Sequence, residues 1–210
     1  MWIFRELANM ARTSYEVQLL FLTSIIGLAL FFERMWFYAR NRVSLDRLSE
    51  RLLHLMANGD LDEIRRIAYE RKTPFHRVLR VFVENFDLSE DLLMGLVDAE
   101  ILRQRERMTK YLTGLATIAA VSPLLGLYGT VTGLIEAFHQ IAVTGAGGPE
   151  VIGRGISIAL LTTMFGLFIA IPTLIVHNYF SRKAGEIAAK TDATIRELLI
   201  ISYKAQVRKS

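Results

Sequence analysis

Charge in this chain is segregated into blocks, and that segregation constrains the fold more than any single motif does. Tyr111–Ile135 is 25 consecutive residues without Asp, Glu, Lys or Arg, and the apolar character runs on past Glu136 to about Val143. Gly155–Ser181 contains 27 such residues, and Val17–Phe32 a further 16 that continue past Glu33 and Arg34 into Met35, Trp36, Phe37 and Tyr38. A helix needs roughly 20 apolar residues to cross about 30 Å of hydrocarbon. The two later runs exceed that length. The first reaches it once Trp36 and Tyr38 are counted as an interfacial aromatic belt. A soluble domain that is 52% apolar and 22% charged would intersperse the two classes along amphipathic elements. The reading is therefore an all-α integral membrane protein with three transmembrane helices. Cleavage of the first run as a signal peptide is disfavoured. Both acids and bases precede it, and no small-residue cleavage site follows.

Three crossings put the N-terminus and the loop between the last two spans on one side. That side carries Arg5, Arg12 and Arg154. The opposite side carries 14 Lys and Arg in residues 39–110 and 7 in residues 181–210. The positive-inside rule places the long segment in the cytoplasm and the N-terminus outside. The net charge of +4 is read as an orientation and headgroup signal, with no nucleic-acid partner implied. The expected order is an outer N-terminal segment (1–16), a first span (17–38), a cytoplasmic helical domain (39–110), a second span (111–143), an outer loop (144–154), a third span (155–180) and a cytoplasmic C-terminal helix or tail (181–210).

Residues 39–110 read as punctuated helices. Asn58-Gly59 ends one, and Asp60 with Glu63 three residues on forms a capping-box start for the next. Thr73-Pro74 supplies an N-cap and a first-turn proline. Ser89 caps a helix that can run without interruption into the second span, with Leu92, Leu93, Leu96, Val97 and Ile101 at helical spacing. No catalytic constellation is present: His54 and His76 stand alone, and there is no phosphate-binding glycine loop, HExxH or carboxylate pair beside a nucleophile. With no cysteine, no disulfide and no Cys-based metal site can form, and the expectation is no enzyme, no metal and no cofactor.

The spans carry the functional signal. The second reads SPLLGLYGTVTGLIEAF from Ser122 to Phe138, with Gly126, Gly129 and Gly133 forming a bare strip where another backbone can approach. Pro123, Thr130 and Ala137, spaced seven residues apart, share a different face. The third reads GISIALLTTMFGLFIAIPTLIVHNYF from Gly155 to Phe180, with Thr162 and Thr163 near its middle, Gly166 and Ala170 as a small-xxx-small pair, and Pro172. A proline in a membrane helix frees a backbone carbonyl that hydroxyls, water or neighbouring helices must satisfy. Small residues here can simply mediate packing, and a lone threonine can bond back to its own helix. Glu136 is the one acid inside the two later spans, about 9 Å beyond Thr130 at 1.5 Å per residue and roughly 120° from its face. Two roles stay open for it: an ionisable group on a pathway, or an interfacial partner of His139.

These segments resemble a known family. Ser122–Phe138 is similar to the PxxGLxGTVxGxxxxF segment of the MotA/TolQ/ExbB channel proteins, and Gly155–Phe180 to their GIxxALxxTxxGLxxAIPxxxxxNxF segment. The topology resembles ExbB and TolQ more than the four-span MotA. The resemblance implies a homopentameric ring in the bacterial inner membrane with a periplasmic N-terminus, whose second and third spans line a pore. It also implies a single-span ExbD/TolR-like partner in that pore, carrying the aspartate that takes and releases the driving proton, and a TonB- or TolA-like protein beyond it. Thr130 and Thr163 then fall on pore-facing positions, and Pro123 and Pro172 on the family's prolines. One departure stands out: where ExbB and TolQ commonly carry a glutamate in a G-I-x-E-A-L pattern, this chain has Ile158. Thr162, one turn on, is the candidate substitute hydroxyl. The implied function is a proton-channel subunit that energises an envelope process such as TonB-dependent outer-membrane transport. Envelope maintenance, motility, sodium coupling and a passive membrane scaffold are the alternatives.

Overall fold

A computed structural model describes residues 15–41, 44–145 and 149–207. Its elements are α1 (Tyr15–Arg40), α2 (Leu45–Asn58), α3 (Leu61–Glu70), α4 (Pro74–Glu84), α5 (Glu90–Thr109), α6 (Leu112–Thr144) and α7 (Pro149–Val207). Every described element is helical. Three of them are long and apolar enough to cross a membrane, as the charge-free runs require. The outer N-terminal segment expected at 1–16 lies almost wholly outside the described residues.

The chain divides into two compact units, one of residues 1–34 and 111–179, the other of residues 35–110 and 180–210. In the first, α1 is laid against the α6–α7 pair. Val17 packs on Leu161 with Ile158 and Phe165, and Leu20 sits among Ile118, Ile169 and Leu125. A Cβ built on Gly27 of α1 would meet Ile118 and Thr173 at ordinary van der Waals distance. Arg34 is buried, paired with Glu33, and its guanidinium stands 4.9 Å from the centre of the Tyr111 ring. That burial shields a charge the sequence placed at a helix boundary, through pairing and cation–π contact.

In the second unit, α2 to α5 and the distal part of α7 enclose a core built on Leu52, Ile64, Phe75, Leu79, Phe82 and Leu198. Short polar links hold the α7 segment in place. Ser49 and Thr194 share a hydrogen bond at 2.7 Å, Lys190 meets Asp46 at 2.5 Å, and Arg196 reaches Asp98 at 3.3 Å. The punctuation at Asn58-Gly59-Asp60 forms as its chemistry dictates. Gly59 takes the left-handed conformation (φ 78°), its N–H reaches Met56 O, and Asp60 N–H reaches Leu55 O. Asp60 then caps α3 by accepting from Glu63 N–H at 3.1 Å. The reciprocal half of the box is absent because Leu55 O already holds the Asp60 N–H, and Glu63 turns instead to Arg51 and Arg66.

Several expectations change. Thr73 occupies the N-cap of α4 with Pro74 in the first turn, yet its hydroxyl goes to His76 Nδ1 at 2.7 Å instead of capping. Ser89 precedes α5 but makes no side-chain cap, and α5 does not continue into α6, for the helix is interrupted at Lys110-Tyr111. Along α5, Leu93 and Val97 are buried while Leu92 and Leu96 are exposed, so the leucine run spans two faces. α6 extends to Thr144 and α7 begins at Pro149, so both helices run past the bounds expected for the second and third spans. Tyr38, expected in an interfacial belt, is half-buried. Its hydroxyl donates to Met108 O and Phe180 O, and its ring stacks on Phe180 at 4.6 Å.

Candidate functional site

The glycine strip of α6 meets α7 at backbone distance. A Cβ built on Gly166 would lie 2.5 Å from Ser122 O and 3.2 Å from Gly126 Cα. One on Gly126 would lie 2.9 Å from Thr163 Cα, and one on Gly129 would lie 2.8 Å from Thr162 Oγ1. Gly133 faces Ala159, and a Cβ on Gly155 would meet Ala137 Cβ at 2.5 Å. The contacts run antiparallel, pairing 122 with 166, 126 with 163, 133 with 159 and 137 with 155. Small residues thus alternate between the two helices along the whole seam. Without a hydrophobic force between helices in lipid, this close approach is what holds such a pair.

Hydroxyls fill the middle of the seam. Thr162 Oγ1 donates to Ala159 O at 2.7 Å and also lies 3.3 Å from Gly126 O, while Thr163 Oγ1 donates to Gly126 O at 3.0 Å. Both threonines of α7 therefore address one carbonyl of α6. Thr162 is only 3% exposed and sits inside the helix contact. Thr163 is partly exposed, at the edge of that contact. Thr130, also partly exposed, donates to Leu127 O at 2.6 Å on its own helix. A hydroxyl has one proton to donate and two lone pairs. With their protons spent on carbonyls, Thr130 and Thr163 offer lone pairs outward.

Pro123 and Pro172 both lie inside their helices, and neither ends one. Pro172 instead lines an apolar cavity of about 340 Å³ with Ser24, Gly27, Phe31 and Thr173. Ile158 packs against the Val17–Leu161 contact with α1. Glu136 is exposed and accepts from Gln140 Nε2 at 3.0 Å, so its partner is Gln140 where His139 was one expectation. No group of three or more His, Cys, Asp or Glu among the described residues could hold a metal.

Two participants escaped the sequence reading, and Ala137, read as lying on a different face from the glycine strip, is instead buried in the seam. Ser122 is fully buried, and its carbonyl receives the bare face of Gly166. Ala137 receives Gly155. His177 of α7 places Nδ1 2.9 Å from Leu112 O of α6, a polar tie near one end of the pair. The signal for His177 was available: it is the one histidine in a run of 27 residues without a charge.

A family model described as "MotA/TolQ/ExbB proton channel family" matches residues 70–193, which include both glycine-bearing helix segments. The chain belongs to the MotA/TolQ/ExbB proton channel family. It is similar to the biopolymer transport protein ExbB of Salmonella typhimurium, 30% identical over 201 residues, covering 88% of this chain and 79% of that protein. It is likewise similar to the Tol-Pal system protein TolQ of Pseudomonas aeruginosa, 30% identical over 192 residues and covering 83% and 82% of the two chains. A putative ExbB-like protein of Synechocystis is 35% identical over 161 residues, covering 75% of this chain and 63% of that one. Family membership and the α6–α7 seam fall on the same residues, since 122–166 lies wholly inside the matched range.

Proposed function

We propose that this chain is the ring-forming, proton-conducting subunit of an inner-membrane motor. The observation that carries the reading is the α6–α7 pair, locked at backbone contact, with Thr163 at its edge and Thr130 partly exposed on α6, each with its proton on a carbonyl and lone pairs to offer. In the proposed assembly five copies surround an axial passage, with α6 and α7 of each copy as its wall. The passage holds the membrane helix of an ExbD/TolR-like single-span partner. Hydroxyls that present lone pairs suit a protonated carboxylic acid or a water chain. A protonated partner acid can donate to Thr163 or Thr130. Once it loses its proton, rotation of a threonine hydroxyl away from its carbonyl turns that group into a donor for the carboxylate. Thr162, inside the contact, holds the two helices together while this happens.

This chain brings no carboxylate of its own to that level. Ile158 contributes packing against α1, and Glu136 stands about 9 Å from Thr130 along the helix. The acid must then come from the partner, and the ring by itself conducts little. The topology proposed from the Lys and Arg distribution has a periplasmic N-terminus, with 39–110 and 181–210 cytoplasmic. The output is an envelope process, either TonB-dependent outer-membrane transport through a TonB-like protein or TolQ-like maintenance through a TolA-like one. Relatives of both names match this chain at equal identity. Lone-pair-presenting hydroxyls also suit Na⁺, so a sodium-coupled variant belongs to the same reading.

A passive scaffold is the second reading, and one observation favours it: Thr163 directs its proton to the Gly126 carbonyl of α6, and Thr162, bonded to Ala159 O, is packed against the same carbonyl. The two readings separate at Thr130, whose hydroxyl bonds, among the described residues, only within its own helix. Thr130→Val, measured as uncoupler-sensitive work in cells together with ring assembly, is expected to leave assembly intact and reduce output severalfold. Unchanged output with intact rings would favour the scaffold.

A further inference from the structure

Beside the N-terminus of α2, the unit formed by α2–α5 and distal α7 opens into a pocket of about 310 Å³, at the small end of the ~300–1,000 Å³ range of ligand sites. Ser44, Arg47, Arg51, Glu70, Arg71 and His76 line it, so three guanidiniums face one carboxylate. Among the described residues neither Arg47 nor Arg71 has an acidic partner, and Arg51 shares Glu63 with Arg66. Ser44 stands at the N-cap of the 14-residue α2 without making a side-chain cap, which leaves the positive end of that helix on the same rim. The acid of the first turn, Asp46, is engaged by Lys190 at 2.5 Å.

The floor of the pocket supplies an independent observation. His76 is 2% exposed, and Thr73 holds its Nδ1 at 2.7 Å. With the Thr73 hydroxyl donating, the neutral ring carries its proton on Nε2, which has no partner among the described residues. Burial pushes the ring below its ordinary value of 6.5, keeping it neutral near pH 7. Buried polar nitrogens are rarely left unbonded. Arg80 Nε is the one described side-chain atom that is both sealed and without a partner, so Nε2 of His76 retains access to the pocket.

We propose that this pocket binds a phosphoryl anion, gripped by Arg47, Arg51 and Arg71 with the His76 Nε2–H beneath it. Guanidinium forks match phosphate oxygens in geometry and charge. Two sources offer the same chemistry: a soluble phosphomonoester, or the headgroup of an anionic lipid. The second is within reach because only residues 41–43 separate α1 from Ser44. This site is independent of the ion pathway, so its failure would leave that reading standing.

The test uses the full chain in phosphatidylcholine nanodiscs. One arm titrates inorganic phosphate and glycerol 3-phosphate by calorimetry at low ionic strength. The other adds phosphatidic acid to the disc and counts retained lipid by native mass spectrometry. Saturable binding is expected in at least one arm, weakened at least about tenfold by Arg47→Ala and by Arg71→Ala, as loss of a charge-assisted hydrogen bond implies. Both side chains are exposed, so the fold is expected to survive. Arg103→Ala, away from the pocket, serves as the control and is expected to bind as wild type. Binding in the first arm identifies a soluble phosphoester, and binding in the second alone identifies a headgroup. No saturable binding in either arm, or an equal loss in Arg103→Ala, would overturn the proposal.

Discussion

Gly166→Val is expected to unseat α7 from α6 and abolish both ring assembly and ion-driven output. The added Cβ would stand 2.5 Å from Ser122 O, and the next nearest atom is Gly126 Cα, so the obstacle is backbone that cannot rotate away. Relief requires the helices to separate. That breaks the Thr162 and Thr163 contacts to Gly126 O and forfeits dispersion along the whole seam. Overpacking in a well-packed interior costs about 1–3 kcal/mol, and the lost seam adds to it. The matched control is Gly95→Ala on α5, where a Cβ meets nothing within 4 Å. There the substitution is expected to stabilise by roughly 0.5–1 kcal/mol, the usual difference between Ala and Gly in a helix. Assembly measured by native electrophoresis of detergent-extracted protein checks the pair. Normal rings from Gly166→Val would show that α6 and α7 do not depend on this contact.

Thr163→Val is expected to keep the ring and lose most of its output, whereas Thr163→Ser keeps both. Valine preserves the shape at the seam and removes one hydrogen bond of 3.0 Å. Interhelical hydrogen bonds in membranes average only about 0.6 kcal/mol, and Thr162 remains 3.3 Å from the same carbonyl, so assembly should survive. The pathway role responds differently. A hydroxyl can accept from an acid in one state and donate to a carboxylate in the next, and valine does neither. Even an added barrier of about 1.4 kcal/mol slows transfer roughly tenfold. Serine keeps the hydroxyl at the price of one methyl contact. Wild-type flux from Thr163→Val in intact rings would reduce Thr163 to a packing residue.

How far the sequence anticipates the structure depends on how local the signal is. The three long apolar helices follow from charge segregation, which acts residue by residue against hydrocarbon. The Gly59 turn and the Asp60 cap follow from chemistry within six residues. The end of α5 was not legible, because Lys110 and Tyr111 carry no breaker signal. Tyr111 stands instead against a buried arginine far away in sequence. The early start of α7 did have a local signal in Pro149, since proline is favoured at the first helical position. The glycine strip was readable as a close-approach surface, but its partner was not. That Gly126 would meet Thr163, and that Thr162 would turn into the contact, depends on the rotation of one helix against another, which spacing along a single helix does not specify. The fate of Ile158 is of the same kind, for only packing with Val17 turns a missing carboxylate into a contact with α1.

The central claim is that this chain's hydroxyls pass protons only when another chain supplies the acid. Proton flux into liposomes at fixed voltage, with this chain alone and then with an ExbD/TolR-like partner co-reconstituted, tests that claim most directly. The account predicts near-background flux from the chain alone and a large, partner-dependent increase that Thr130→Val and Thr163→Val each suppress. Full flux without any partner, or a partner-dependent flux that survives loss of both hydroxyls, would contradict it.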